Sequence, residues 1–218
     1  MLFCAVIACA RDCLCSASIN HDKVHVCVPF PAVNAEGETT GGLQGSTGND
    51  ACKYAPLGSQ VYGRAGWYKD VWAIMYAWYF PKGFFMEFAS RRRDWKSVVV
   101  WINNPGFETP MIAGASMSKS GAKYAKETKM LQKYFVGSGR GWETAISNTS
   151  LRFKFNTNIG HGSLDLSVEK GEYQDLIMWE QLTGAARAAL NDGKNFRNAE
   201  VPISDEHFEK HLDSAWPL

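Results

Sequence analysis

Six consecutive residues carry most of the side-chain chemistry this sequence displays: Arg91, Arg92, Arg93, Asp94, Trp95 and Lys96. Guanidinium forks match phosphate and carboxylate geometry, so three in a row offer a seat for an anionic group. Charge runs are equally the ordinary covering of a solvated turn, and these residues allow both readings. Asp94 supplies one carboxylate. A glycoside-type hydrolase needs two across a cleft, and the sequence shows Asp94 no partner. His161, in the loop Asn158-Ile159-Gly160-His161-Gly162, fits a general base or a hydrogen-bonding surface residue. His21, Asp22 and His25 are ligand-type side chains, but polar groups near a terminus are ordinarily solvated. Asp175 and Glu180 read as caps or ion-pair partners. The sequence has no Gly-rich phosphate loop, no paired CxxC and no Ser-His-Asp order.

The basic run lies between two segments that read as buried strands. Ahead of it, Trp72, Ile74, Tyr76, Trp78 and Phe80 alternate with Val71, Ala73, Met75, Ala77 and Tyr79. Successive strand side chains face opposite sides, so a strand apolar in both sets is covered on both faces. Pro81-Lys82-Gly83 ends it, because proline cannot donate to a ladder. A second aromatic segment, Phe84 to Phe88, runs into the charged turn Arg91–Asp94. Ser97 to Ile102 (SVVVWI) then reads as another core strand, closed by Asn103-Asn104-Pro105-Gly106. Rigid strands carrying a charged loop are a common way to build a site.

Elsewhere the pattern stays β-rich. Lys69-Asp70 reads as a turn, Pro110 to Ala115 as a short strand and Ser116 to Tyr124 as a polar loop. Leu151, Phe153 and Phe155 alternate with Arg152, Lys154 and Asn156, as on a half-solvated strand. Near the C-terminus the period changes. Thr183 caps a helix to about Leu190, and Ser204 caps a second carrying Phe208, Leu212, Ala215 and Trp216 on one face. The fold class expected is mainly β, a single domain with short helices packed outside.

The chain has 218 residues and a formal charge of +1, which gives no case for nucleic-acid binding. No stretch approaches the roughly 20 apolar residues of a membrane helix. Leu2 to Ala10 is apolar and Ser16-Ala17-Ser18 is small, so residues 1–18 read as a secretory signal peptide and 19–218 as the folded domain. Four cysteines fall inside that leader. Cys27 and Cys52 remain, either bridged in an oxidising compartment or as two free thiols. Asn148-Thr149-Ser150 is a glycosylation sequon.

The run AIMYAWYFPKG with SRRRDWK and VVVWI resembles the necrosis- and ethylene-inducing-peptide-like (NLP) proteins of oomycetes, fungi and bacteria. INHD at Ile19, PAVNAEGETTGGL at Pro31, GSQVYGRAGWY at Gly58, QDLIMWEQLT at Gln174 and AWPL at Ala215 extend the resemblance over most of the chain. It implies a β-sandwich flanked by helices, similar to actinoporins and lectins, and secretion into the host apoplast. It also implies a virulence effector rather than an enzyme, working as a monomer with one disulfide. Cytolytic members bind sphingolipid head groups of the plant plasma membrane through a Mg or Ca ion. Plant leucine-rich-repeat immune receptors detect a peptide pattern resembling Ala73 to Lys96.

The departures from that family bear on the ion. Its heptapeptide is G-H-R-H-D-W-E, where this chain has Ser90 to Lys96. The metal ligands fall on Gly83, Arg91, Asp94 and Lys96, of which only Asp94 is ligand-type. The family's set carries a charge of about −3; this one carries about +1, and a hard cation requires oxygen ligands and negative charge. No cofactor is therefore expected. Thr157 stands where cytolytic relatives present a Trp to the membrane. The segment before Cys27 that holds the family's first strand is nearly absent, which leaves a sheet edge open. The expected function is that of a secreted, non-cytolytic NLP with an immunogenic peptide. The alternatives are a binding module for an anion or a glycan or sphingolipid head group, built on Arg91, Arg92, Arg93 and His161, and a toxin that is still cytolytic.

Overall fold

Val71–Phe80 (β3) is apolar on both faces and builds two cores at once. Ile74, Tyr76, Trp78 and Phe80 enter one; Ala73, Met75, Ala77 and Tyr79 enter the other. The computed structural model describes residues 16–18, 26–44, 48–86, 88–119, 122–136, 150–157, 161–169, 174–197 and 199–218. Around β3 lie Gln60–Tyr68 (β2), Asp94–Ile102 (β6), Ile112–Ser118 (β7), Tyr124–Glu127 (β8) and Asp175–Met178 (β11). They form a six-stranded sheet in the order β11-β2-β3-β6-β7-β8. All its neighbours run antiparallel except β11, which is parallel to β2.

A second sheet joins Ser16–Ser18 (β1), Arg152–Asn156 (β9) and Ser163–Leu166 (β10). Leu151, Phe153, Phe155 and Leu164 pack from it against Tyr76, Trp78, Phe80, Val98 and Val100, making the sandwich. Among the described residues, three short helices cover the opposite face of the large sheet: Gly184–Asn191 (α1), Gly193–Phe196 (α2) and Phe208–Ala215 (α3). Trp95, Trp101, Leu190, Phe196, Phe208 and Leu212 fill that layer. Each large side chain buried this way stabilises by roughly 1.5–3 kcal/mol. The Trp101 indole is matched where it enters: its Nε1 donates to Ser116 Oγ at 3.0 Å, and Ser116 Oγ donates to the Ala215 carbonyl at 2.6 Å.

The β-sandwich with flanking helices matches the expected class, and the Cys27–Cys52 bridge is formed, with its Cα atoms 4.9 Å apart. Thr183 caps α1, its hydroxyl accepting from Ala186 N at 3.1 Å. Lys69-Asp70 is the turn between β2 and β3, and both residues have positive φ.

Several boundaries differ from the sequence reading. β6 starts at Asp94 rather than Ser97, because Trp95 enters the helix-side core. β7 continues to Ser118, so the first three residues of the expected loop are strand. Ser204 does not cap α3: its hydroxyl meets His207 Nδ1 at 2.9 Å, and the helix begins at Phe208. Arg152 is buried rather than solvated, its guanidinium donating to the Lys133 carbonyl at 2.7 Å. β9 is paired in parallel with Ser16–Ser18, residues that overlap the expected leader. The rest of residues 1–18, His21, Asp22, His25 and Asn148 lie outside the described residues.

Candidate functional site

The basic run is held by a hairpin. Gly83–Phe85 (β4) pairs with Phe88–Arg91 (β5), Gly83 lying opposite Arg91. The chain turns through Arg92-Arg93 into β6, whose first residue Asp94 pairs with Phe80 at the end of β3. A second loop fixes the turn from outside. Gly42 lies so close that an added Cβ would overlap the Arg92 carbonyl, and Leu43 N donates to the Pro81 carbonyl at 2.7 Å.

Strand alternation sorts this run into two faces. Asp94 and Lys96 share the sandwich-side face. Trp95 and Ser97 point to the helices.

On the sandwich side, the four positions to which the resemblance assigns metal ligands do come together. Lys96 Nζ lies 3.0 Å from Asp94 Oδ2, with only 2% and 5% of the two side chains exposed. Arg91 approaches the other carboxylate oxygen at 3.8 Å. A Cβ built on Gly83 would meet Asp94 Oδ2 at 3.1 Å. His161 belongs to the same cluster, its ring 4.6 Å from that of Phe85. Burial holds its pKa below the ordinary imidazole value, and the charges of Arg91 and Lys96 push the same way while Asp94 opposes them. Its Nδ1 is buried without a hydrogen-bond partner.

This donor set does not fit a divalent cation. Its one carboxylate already serves two cations, and Gly83 brings no oxygen-bearing side chain to a position against it. A hard ion requires several oxygens and net negative charge. Among the described residues, no three His, Cys, Asp or Glu side chains gather. The contacts of Asp94 are also not those of a hydrolase dyad, since both ionic partners are basic.

The three arginines do not act as one fork. Arg91 turns to Asp94, Arg92 is exposed, and Arg93 reaches the Tyr79 hydroxyl. Burial raises the pKa of that hydroxyl to about 12 against the lowering effect of Arg93. Thr157, the position compared with a membrane-facing Trp, is buried at the end of β9 rather than presented at a loop tip.

The helix side carries a network that sequence reading missed. Ser97 Oγ and the Tyr124 hydroxyl are 2.6 Å apart, and the Tyr124 hydroxyl is 2.9 Å from His211 Nδ1. His211 Nε2 lies 3.7 Å from Glu200, which Lys210 pairs at 3.1 Å. The sequence signal was present: His211 falls between Phe208 and Leu212 on the buried face of α3. Burial depresses its pKa to about 4, with His207 and Lys210 pushing the same way and Glu200 opposing.

The model of the necrosis inducing protein (NPP1) family matches residues 19–215. The chain belongs to that family. Among its relatives, NLP effector protein 6 of Plasmopara viticola is 51% identical over 193 residues, covering 88% of this chain and 72% of that protein. NLP effector protein Pc109174 of Phytophthora capsici is 43% identical over 222 residues, covering 88% and 80%. The crystal structure of the non-toxic HaNLP3 protein superimposes with a TM-score of 0.84 at 37% identity, covering 98% of this NLP and 93% of that chain. The NLPPya structure in complex with glucosamine gives 0.79 at 31% identity, covering 98% and 91%. The fold of this NLP is therefore the family's.

Proposed function

We propose that this NLP is a secreted effector of a plant-associated microbe that meets the host in the apoplast without lysing its cells. The observation that carries the reading is the Asp94–Lys96 ion pair. A tethered ammonium takes the carboxylate that would otherwise face an ion, and Arg91 adds a second positive charge beside it. The likeness to a non-toxic relative supports the same reading. The protein acts by binding rather than catalysis. A sugar head group engaged through a divalent ion is outside its reach, although a relative has been captured with glucosamine.

Its immunogenic role follows from Ala73 to Lys96. In the folded protein, residues 73–80 are buried between the two cores. A leucine-rich-repeat receptor reads that segment only after the chain has unfolded or been cleaved. The synthetic peptide should therefore act faster than intact protein.

Leaf infiltration with purified protein tests the first claim. No necrosis is expected at doses where a cytolytic relative kills tissue, and calorimetric titration with Mg²⁺ or Ca²⁺ should show no saturable heat. Necrosis together with ion binding would restore the toxin reading.

A further inference from the structure

On the helix side of β6, opposite the ion pair, lies a cavity of about 780 Å³ between the basic turn, the segment after α2 and helix α3. Five cationic side chains line it: Arg91, Arg92, Arg93, Arg197 and Lys210. Glu200 is its carboxylate, already paired by Lys210; Asp94 borders the cavity, but its carboxylate and the Arg91 guanidinium turn to the ion-pair cluster. The lining therefore carries a surplus of positive charge. Three of its residues also hold a buried nitrogen without a hydrogen-bond partner: Trp95 Nε1, Arg93 Nε and His211 Nε2. Trp95 and His211 are 7% and 3% exposed. Indole and guanidinium nitrogens only donate. The imidazole Nε2 donates when Nδ1 accepts from Tyr124. These nitrogens are closed off from the cavity, so the donors open to an anion there are the arginines of the turn, Arg197 and Lys210.

We propose that this cavity is a second binding site, for a phosphorylated sugar. The charge requires an anion. A phosphate monoester presents three terminal oxygens, enough to take a donor from each of the turn, Arg197 and Lys210 of α3, whereas a carboxylate has two. The volume exceeds what a phosphate fills and suits a ligand of mono- to disaccharide size. The site borders the ion-pair cluster at Arg91 and Asp94, but its test reads Arg197, which that cluster does not use, so the two readings fail separately.

The test follows the Trp95 indole N–H resonance, assigned by its disappearance in Trp95→Phe. Titrants are glucose 6-phosphate, inorganic phosphate, glucuronate and glucose. Glucose 6-phosphate should move the resonance saturably, inorganic phosphate more weakly, and glucose not at all. Arg197 is exposed, so Arg197→Gln should keep the melting temperature and weaken glucose 6-phosphate by about tenfold, the worth of one charge-assisted hydrogen bond. A resonance unmoved by every phosphate overturns the proposal. So does unchanged affinity in Arg197→Gln. Glucuronate binding as tightly as glucose 6-phosphate would refute the three-oxygen argument, and inorganic phosphate doing so would refute the sugar.

Discussion

Lys96 is the residue whose replacement tells most about the sandwich-side cluster. Its ammonium is 2% exposed and its partner Asp94 only slightly more. Desolvating both charges is expensive, and the attraction between them offsets that only while both are present. Lys96→Met removes one and leaves the carboxylate with the longer Arg91 contact at 3.8 Å. Chemical denaturation should show a loss of about 3–5 kcal/mol. Lys96→Met combined with Asp94→Asn should recover a large part of it, because no buried charge is then left alone. If the single substitution is nearly neutral, the pair is not the internal substitute for an ion that the proposed function requires. The charge reversal was legible from residues 91 to 96 once they were aligned with the family heptapeptide. The contact between Lys96 and Asp94 was not, because the strand was read as starting at Ser97, and two residues of a turn share no face.

At the level of elements, the hairpin and the basic turn depend on a loop more than forty residues earlier in the chain. Gly42 has no special backbone angle; what it lacks is the side chain that would collide with the Arg92 carbonyl and the Arg93 stem. Backbone cannot step aside as a flexible side chain can. Gly42→Ala should therefore cost about 1–3 kcal/mol in a thermal or urea melt, through displacement of the turn. Gly63→Ala makes the instructive contrast, since the atoms in its way belong to the ends of Met178 and Leu176. It should cost less than Gly42→Ala. β3 was readable because its period of two is apolar in both sets, and α1 because Thr183 is a good cap in front of an alanine-rich face. α3 was misplaced because Ser204 has the right chemistry for a cap while its hydroxyl is taken by His207. The helix-side cavity was unreadable for a plainer reason. Its lining comes from the turn, β6, β7, the segment after α2 and α3, and only the fold brings them to one place.

Across the whole molecule, acid should loosen the helical layer before the sandwich. His211 stands between them, with Tyr124 of β8 on one nitrogen, Glu200 near the other, and His207 and Lys210 alongside on the C-terminal segment. Its pKa is about 4 in the folded protein, against 6.5 for an ordinary imidazole. Between those values the unfolded chain takes up a proton that the folded chain refuses. Stability is thus fully present above pH 6.5 and declines as pH falls toward 4, by about 3 kcal/mol from this group alone. His161, also held below its ordinary value, adds to the slope in the same direction. Urea midpoints measured from pH 7 to 4 should fall accordingly. His211→Gln keeps an acceptor for Tyr124 and has nothing to titrate, so its profile should be flatter over that window. The disulfide and the sandwich-side residues of β3 lie in the other layer. Near-ultraviolet signals from Trp101 and Trp216 on the helix side should therefore shift at a higher pH than protection of the β3 amides is lost. Simultaneous loss of both would show that the two layers unfold as one unit.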